Sequence, residues 1–130
     1  MNNVLVVDDM PENLRLVRKV LAPAGFSIRE ALDGKDALAL ASQAMPDLVL
    51  VDLRLGEDSM TGYELARQLR GLPGGKKVVL VALSGGAVLD DDATSSEAGF
   101  DGFIAKPFDV TKLPETIRLF LAGKAPDGKA

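Results

Sequence analysis

Short apolar runs alternate with amphipathic stretches along the chain, the pattern of a parallel sheet covered by helices on both faces. About five such pairs can be read, each the size of a βα unit. Val4 to Val7 is an unbroken apolar strand closed by Asp8 and Asp9. Pro11 fits the first turn of a helix, where its missing N–H breaks no bond. Leu14, Val17 and Leu21 give that helix an inward stripe, and Pro23 with Gly25 stops it. Phe26 and Ile28 alternate with polar neighbours, which predicts a half-buried strand. Asp33 is placed to cap a second helix carrying Ala37, Leu38 and Ala41, and Pro46 ends the connection after it. Leu48 to Val51 is a second unbroken apolar strand, ended by another acid, Asp52.

From Leu53 to Thr61 the chain is irregular and rich in Gly and acid, which predicts a loop above the sheet before a helix through Leu65 and Leu69. Gly71, Pro73, Gly74 and Gly75 end that helix. Val78 to Leu83 is the most apolar strand, followed directly by Ser84, Gly85 and Gly86. Asp90 to Asp92 stand early in the next predicted helix, where carboxylates favour the positive end of the helix dipole, and Gly99 stops it. Phe103 to Ala105 is a short fifth strand leading to Lys106 and Pro107. The last helix lies between Asp109 and Ala122, with Pro114 in its first turn and Leu113, Ile117 and Phe120 inward. The expected fold is therefore α/β, a doubly wound five-stranded parallel sheet with about five helices. Residues 1–122 form the domain, and 123–130 read as a flexible tail or linker.

Composition narrows the function. With 130 residues, 47% of them hydrophobic, the chain fits one ordinary domain with a real core. Fifteen basic against 19 acidic residues give a net charge of −4, without the basic excess that a nucleic-acid backbone requires. Zero Cys excludes a disulfide framework and thiolate metal sites. Only Asn2 and Asn3 separate Met1 from the first apolar run, so no basic leader is present, and no stretch approaches the roughly 18 apolar residues of a membrane span. These features predict a soluble, cytoplasmic protein with no direct nucleic-acid or membrane partner.

In an open α/β sheet the ligand site lies beyond the carboxyl ends of the strands, where strand order reverses. Asp8 and Asp9 end strand one, Asp52 ends strand three, Ser84 ends strand four and Lys106 ends strand five. Any one of these is ordinary, because strand ends meet water. Acids on two strands, a hydroxyl on a third and a lysine on a fourth are harder to assign to chance. Carboxylates brought together repel, so such a cluster holds a cation or stays partly protonated. Mg²⁺ suits it better than zinc, since the chain offers no His or Cys, and its usual guest is a phosphoryl group. Lys106 and Ser84 fit as donors to phosphoryl oxygens. A carboxylate can itself attack phosphorus, and Asp52, alone at the end of the central strand, is the choice for that role.

In order and spacing, Asp8-Asp9, Asp52, Ser84 and Lys106-Pro107 resemble the receiver domains of response regulators, over nearly the whole chain from Val4 to Ala122. The resemblance implies a flavodoxin-like fold with strand order 2-1-3-4-5, like that of chemotaxis regulators. It implies an Mg²⁺ site at Asp8, Asp9 and Asp52, with Asp9 and Asp52 as direct ligands and the backbone carbonyl of Arg54 as a third. Asn13 matches an asparagine often found after the paired acids, and the Lys106-Pro107 peptide is expected to be cis. Phosphorylation of Asp52 would draw Ser84 inward and let Phe103 swing, reshaping the face of the fourth helix, fifth strand and fifth helix. Arg54 and Gly86 stand where the family tunes hydrolysis of the acyl phosphate. The implied function is a phosphorelay switch, not an enzyme, that assists its own phosphotransfer and dephosphorylation. Its implied partners are a sensor histidine kinase or histidine phosphotransfer protein upstream, and a downstream protein or output domain, with a phosphorylation-dependent homodimer also compatible.

The chain departs from the family between Asp52 and Gly62, where Leu53-Arg54-Leu55-Gly56-Glu57-Asp58-Ser59-Met60-Thr61 is a longer loop without the usual Met-Pro pair. Three other readings compete. A phosphatase of the haloacid dehalogenase type needs a second Asp where Arg54 stands, and a cap domain. A receiver-like adaptor would not need the full acidic set. A Rossmann-type nucleotide binder needs a glycine-rich turn where the chain reads Asp8-Asp9-Met10-Pro11.

Overall fold

Val4 to Val7 and Leu48 to Val51 are at most 1% exposed, which is why these segments are apolar at every position. They belong to β1 (Asn3–Val7) and β3 (Leu48–Asp52), which pair parallel in the middle of the sheet. A computed structural model describes residues 2–53, 60–85, 99–106 and 109–123, with the backbone alone for Ser84, Phe103, Ala105 and Lys106. With β2 (Ser27–Ala31), β4 (Val79–Gly85) and β5 (Gly102–Lys106), the strands pair in the order β2-β1-β3-β4-β5, all parallel.

Alternate residues of the central strands feed two cores. On one face Val4, Val6, Leu48, Leu50, Val81 and Leu83 meet Leu14, Val17 and Leu21 of α1 (Pro11–Leu21) and Leu113, Ile117 and Phe120 of the C-terminal helix (Leu113–Leu121). On the other, Leu5, Val7, Val49, Val51 and Leu80 meet Ala37 and Ala41 of α2 (Gly34–Gln43) and Leu65, Ala66 and Leu69 of α3 (Gly62–Arg70). Each buried Leu or Val contributes roughly 1.5–3 kcal/mol, so the sheet is a rigid platform for whatever its edges carry.

The helix ends follow local chemistry. Asp33 Oδ1 accepts the N–H of Asp36 at 2.8 Å and starts α2, as its position in the sequence predicts. At α3 the Thr61 hydroxyl accepts from Glu64 N at 3.1 Å while Glu64 Oε1 accepts from Thr61 N at 2.9 Å, a reciprocal capping box. Asp109 caps a 3-10 turn (Val110–Lys112) that runs into the C-terminal helix, with Pro114 in its first turn.

Two details differ from the sequence pattern. β2 does not alternate: four of its positions are half-buried and Ala31 is buried, while buried Phe26 lies just before the strand. The reason is position, since β2 is an edge strand paired with β1 and contacted by both α1 and α2. β4 also runs on through Ser84 and Gly85, because these residues pair with Ala105 and Lys106 of β5. The helix predicted through Asp90 to Asp92 and the tail beyond Gly123 lie outside the described residues. No helix among the described residues is long and apolar enough to cross a membrane.

Candidate functional site

Parallel strands share one carboxyl edge, and the register fixes what stands there. Val7 of β1 lies opposite Val51 of β3, so Asp8 and Asp52 leave the sheet side by side. Asp52 lies opposite Leu83, Ser84 opposite Ala105, and Gly85 opposite Lys106. The backbones of all four polar strand ends therefore gather at the same edge, with β1 and β3 at the centre.

The carboxylates of Asp8, Asp9 and Asp52 present oxygens within 4.8 Å of one another. Asp8 is 2% and Asp52 5% exposed, whereas Asp9 is open to solvent. Asp8 is held firmly. Its Oδ1 accepts the backbone N–H of Met10 at 3.0 Å, and its Oδ2 accepts from Asn13 Nδ2 at 3.2 Å. The Asp8 N–H donates to Ala31 O of β2 at 3.1 Å. Asn13 thus orients a site carboxylate from the first turn of α1. The chain leaving Asp52 is tied down by Leu53 N donating to Leu83 O at 3.1 Å.

Gly62 belongs to the same framework and was not singled out by the sequence pattern. A Cβ there would stand 2.9 Å from Leu53 Cα and 3.1 Å from the Asp52 carbonyl, so only glycine lets α3 start against the chain leaving Asp52.

A cluster of oxygens, two of its three carboxylates deeply buried, in a chain without His or Cys, fits a hard divalent cation such as Mg²⁺ and not a thiolate- or imidazole-bound metal. Its residues stand at or just beyond the ends of two adjacent strands, so the sheet fixes where they meet. Asp8, Asp9 and Asp52 are brought together as the sequence predicts. The backbones of Ser84 and Lys106 reach the same edge, and the Phe103 backbone lies opposite Ala82. Arg54, Gly86 and Pro107, and with them the expected cis peptide, lie outside the described residues.

The family model for the response regulator receiver domain matches residues 4–118. A protein of Leptolyngbya boryana named as an uncharacterized 14.6 kDa protein of the sodA1 3' region is 31% identical over 125 residues, covering 96% of this chain and 94% of its own. The sensor histidine kinase RcsC of Salmonella typhi is 32% identical over 117 residues, 90% of this chain but only 12% of the kinase. Among solved structures, the chemotaxis response regulator CheY4 of Vibrio cholerae superposes with a TM-score of 0.83 at 29% identity, covering 91% of this chain and 97% of that one. Acids at the carboxyl edge of a parallel sheet, in a flavodoxin-like α/β frame matched over most of its length, place this chain in the response regulator receiver domain family of two-component signalling.

Proposed function

We propose that this receiver domain is a phosphoacceptor switch in which Asp52 takes a phosphoryl group from a phosphohistidine. The reading is carried by one observation: Asp52 is a buried residue, 5% exposed, yet its carboxylate presents an oxygen within 4.8 Å of oxygens of two further carboxylates at the carboxyl edge of the sheet. An Asp52 oxygen attacks phosphorus, an O–P bond forms as the donor's N–P bond breaks, and the histidine leaves with a proton on its freed nitrogen. Asp8, Asp9 and Asp52, with the carbonyl of Arg54, are the groups that would hold Mg²⁺, which when bound supplies charge neutralisation between carboxylates and phosphoryl oxygens. Asn13 keeps Asp8 oriented toward that position. Lys106 and Ser84 donate to the phosphoryl oxygens from the neighbouring strand ends, and Arg54 and Gly86 set the rate at which water removes the group.

The signal is the one that the likeness to receiver domains implies. Ser84 moving toward the phosphoryl group frees space for Phe103 on the adjacent strand, and the face around β5 and the C-terminal helix changes shape. Upstream the reading calls for a histidine kinase or histidine phosphotransfer protein. Downstream it calls for a protein, an output domain or a second phosphorylated copy that reads that face. A receiver of this kind is a signalling module and not a classical enzyme.

Intact-mass measurement after incubation with Mg²⁺ and a small acyl phosphate tests the chemistry. One phosphoryl adduct on the parent chain and none on Asp52→Asn is the expected result. An adduct that persists on Asp52→Asn, or none on either chain, overturns the assignment.

A further inference from the structure

At the edge opposite the acidic site, Arg70 at the end of α3 gathers three segments. Its Nη1 donates to Gly75 O at 2.9 Å and to Val78 O at 2.6 Å, on the approach to β4. Its Nε donates to Gly99 O at 3.0 Å, and Nη2 donates to the same carbonyl. Nη2 also meets Asp101 Oδ2 at 2.9 Å, so the last residues before β5 are held through backbone and side chain together. Asp101 extends the hold to β4: its Oδ2 accepts from Leu80 N at 2.8 Å, and its own N–H donates to Leu80 O at 2.7 Å. The bonds to the carbonyls of Gly75, Val78 and Gly99 are half-buried, while the ion pair with Asp101 meets solvent.

Two apolar contacts reinforce the same point. The Phe100 ring stands edge-on to Tyr63 of α3, centroids 6.1 Å apart. Gly102, the first residue of β5, lies so close to the C-terminal helix that a Cβ would stand 2.5 Å from Phe120 Cε1. The beginning of β5 is thus fixed to α3, β4 and the C-terminal helix, whereas its other end, Lys106, reaches the acidic edge.

We propose that Arg70 is the anchor of a pivot: it pins the N-terminal end of β5 to α3 and β4, so that a phosphoryl group at Asp52 displaces the far end of β5 and its shared face with the C-terminal helix. This rests on Asp52 being the phosphoacceptor. A strand of five residues is roughly 16 Å long and pairs with β4 along its length, so the added bonds at its beginning make a displacement at its Lys106 end a rotation about the hold. Without the hold, β5 slides or frays at its beginning, and the surface samples its signalling arrangement with no phosphoryl group present. Arg70 is accordingly a positioning residue, outside the phosphoacceptor chemistry.

Hydrogen–deuterium exchange on the full chain tests this, with and without Mg²⁺ and acyl phosphate, the adduct being verified by mass. In the parent, phosphorylation should change exchange in Gly102–Lys106 and Leu113–Leu121 and leave Gly99–Asp101 unaltered. In Arg70→Ala the adduct should form at the parent's rate, while the phosphorylation-induced difference falls about threefold or more and spreads into Gly99–Asp101. Arg70→Lys, which keeps the charge but not the fork, and Asp101→Asn should fall between the two, and they carry the test if the alanine variant does not fold. A phosphorylation-induced difference in these variants equal to the parent's would reduce Arg70 to a staple on the end of α3 and overturn the pivot. A parent that takes no adduct would remove the phosphoacceptor reading, and the pivot with it.

Discussion

Where the strands end, three carboxylates crowd within 4.8 Å of one another; where β4 and β5 begin, the carboxylate of Asp101 meets the guanidinium of Arg70 at 2.9 Å and a strand N–H at 2.8 Å. The sheet is the same, yet three carboxylates cluster at one edge, while at the other a carboxylate meets a guanidinium that is also bonded to backbone carbonyls. Carboxylates this close together favour a bound cation, which is how binding sites commonly differ from the rest of a fold. The second arrangement holds position. In the proposed switch the acidic edge would respond to charge while the opposite edge stays fixed.

The largest effect that would break this comparison is on the holding edge. Arg70→Ala leaves the carbonyls of Gly75, Val78 and Gly99 and the Asp101 carboxylate without their donor, and should lower unfolding free energy by roughly 2–4 kcal/mol in a urea titration. A change near zero would show that the network is ornamental. Gly99→Ala attacks the same network through the backbone. Gly99 sits at φ +95°, and an added Cβ would lie 3.0 Å from Arg70 Nε, so a loss of roughly 1–2 kcal/mol is expected. Full stability in that variant would mean the turn can relax without disturbing Arg70.

On the acidic edge the sign should reverse. Asp9 is the exposed member of the cluster, so Asp9→Asn removes one like charge while leaving the Asp8 bonds to Met10 and Asn13 in place. In Mg²⁺-free buffer the variant should be as stable as the parent or gain up to about 1 kcal/mol. Added Mg²⁺ should raise the melting temperature of the parent more than that of the variant. A variant less stable than its parent without the cation would contradict the contrast between the two edges.

These edges were not equally legible in the sequence. Unbroken apolar runs with an acid at their end reveal both the central strands and the residues beyond them, because strands buried on both faces cannot carry a polar residue until they leave the core. Asp8, Asp9 and Asp52 could therefore be placed before any coordinates. Edge strand β2 was blurred for the opposite reason, half-burial at four of its five positions. Arg70 carried no signal at all. An arginine in the last turn of an amphipathic helix reads as solvated, and its partner Asp101 stands 31 residues away, joined to it only by the crossover between strands. Thr61, read only as the end of the loop, caps α3 together with Glu64, and Gly62 acquires its meaning only when α3 is laid against the chain after Asp52.

The smallest effect sharpens the contrast, because it concerns a carboxylate that follows β5 toward the acidic edge yet is paired within its own turn. Asp109 Oδ1 accepts from the Thr111 hydroxyl at 2.6 Å and from the Thr111 N–H at 3.0 Å. The hydroxyl first, then the backbone donor, with a lesser contribution from Lys112, hold its carboxyl below the ordinary range against the small opposing effect of burial. A carboxyl lowered on folding stabilises the native state above its unfolded value of about 3.9, and that contribution disappears as pH falls through the lower native value. Thr111→Val removes the larger cause, so its stability should approach the parent's below about pH 4 and fall slightly under it above that point. NMR titration of the Asp109 carboxyl should show the native value rising toward the unfolded one in the variant. An unmoved titration would mean that the Thr111 hydroxyl does not set it.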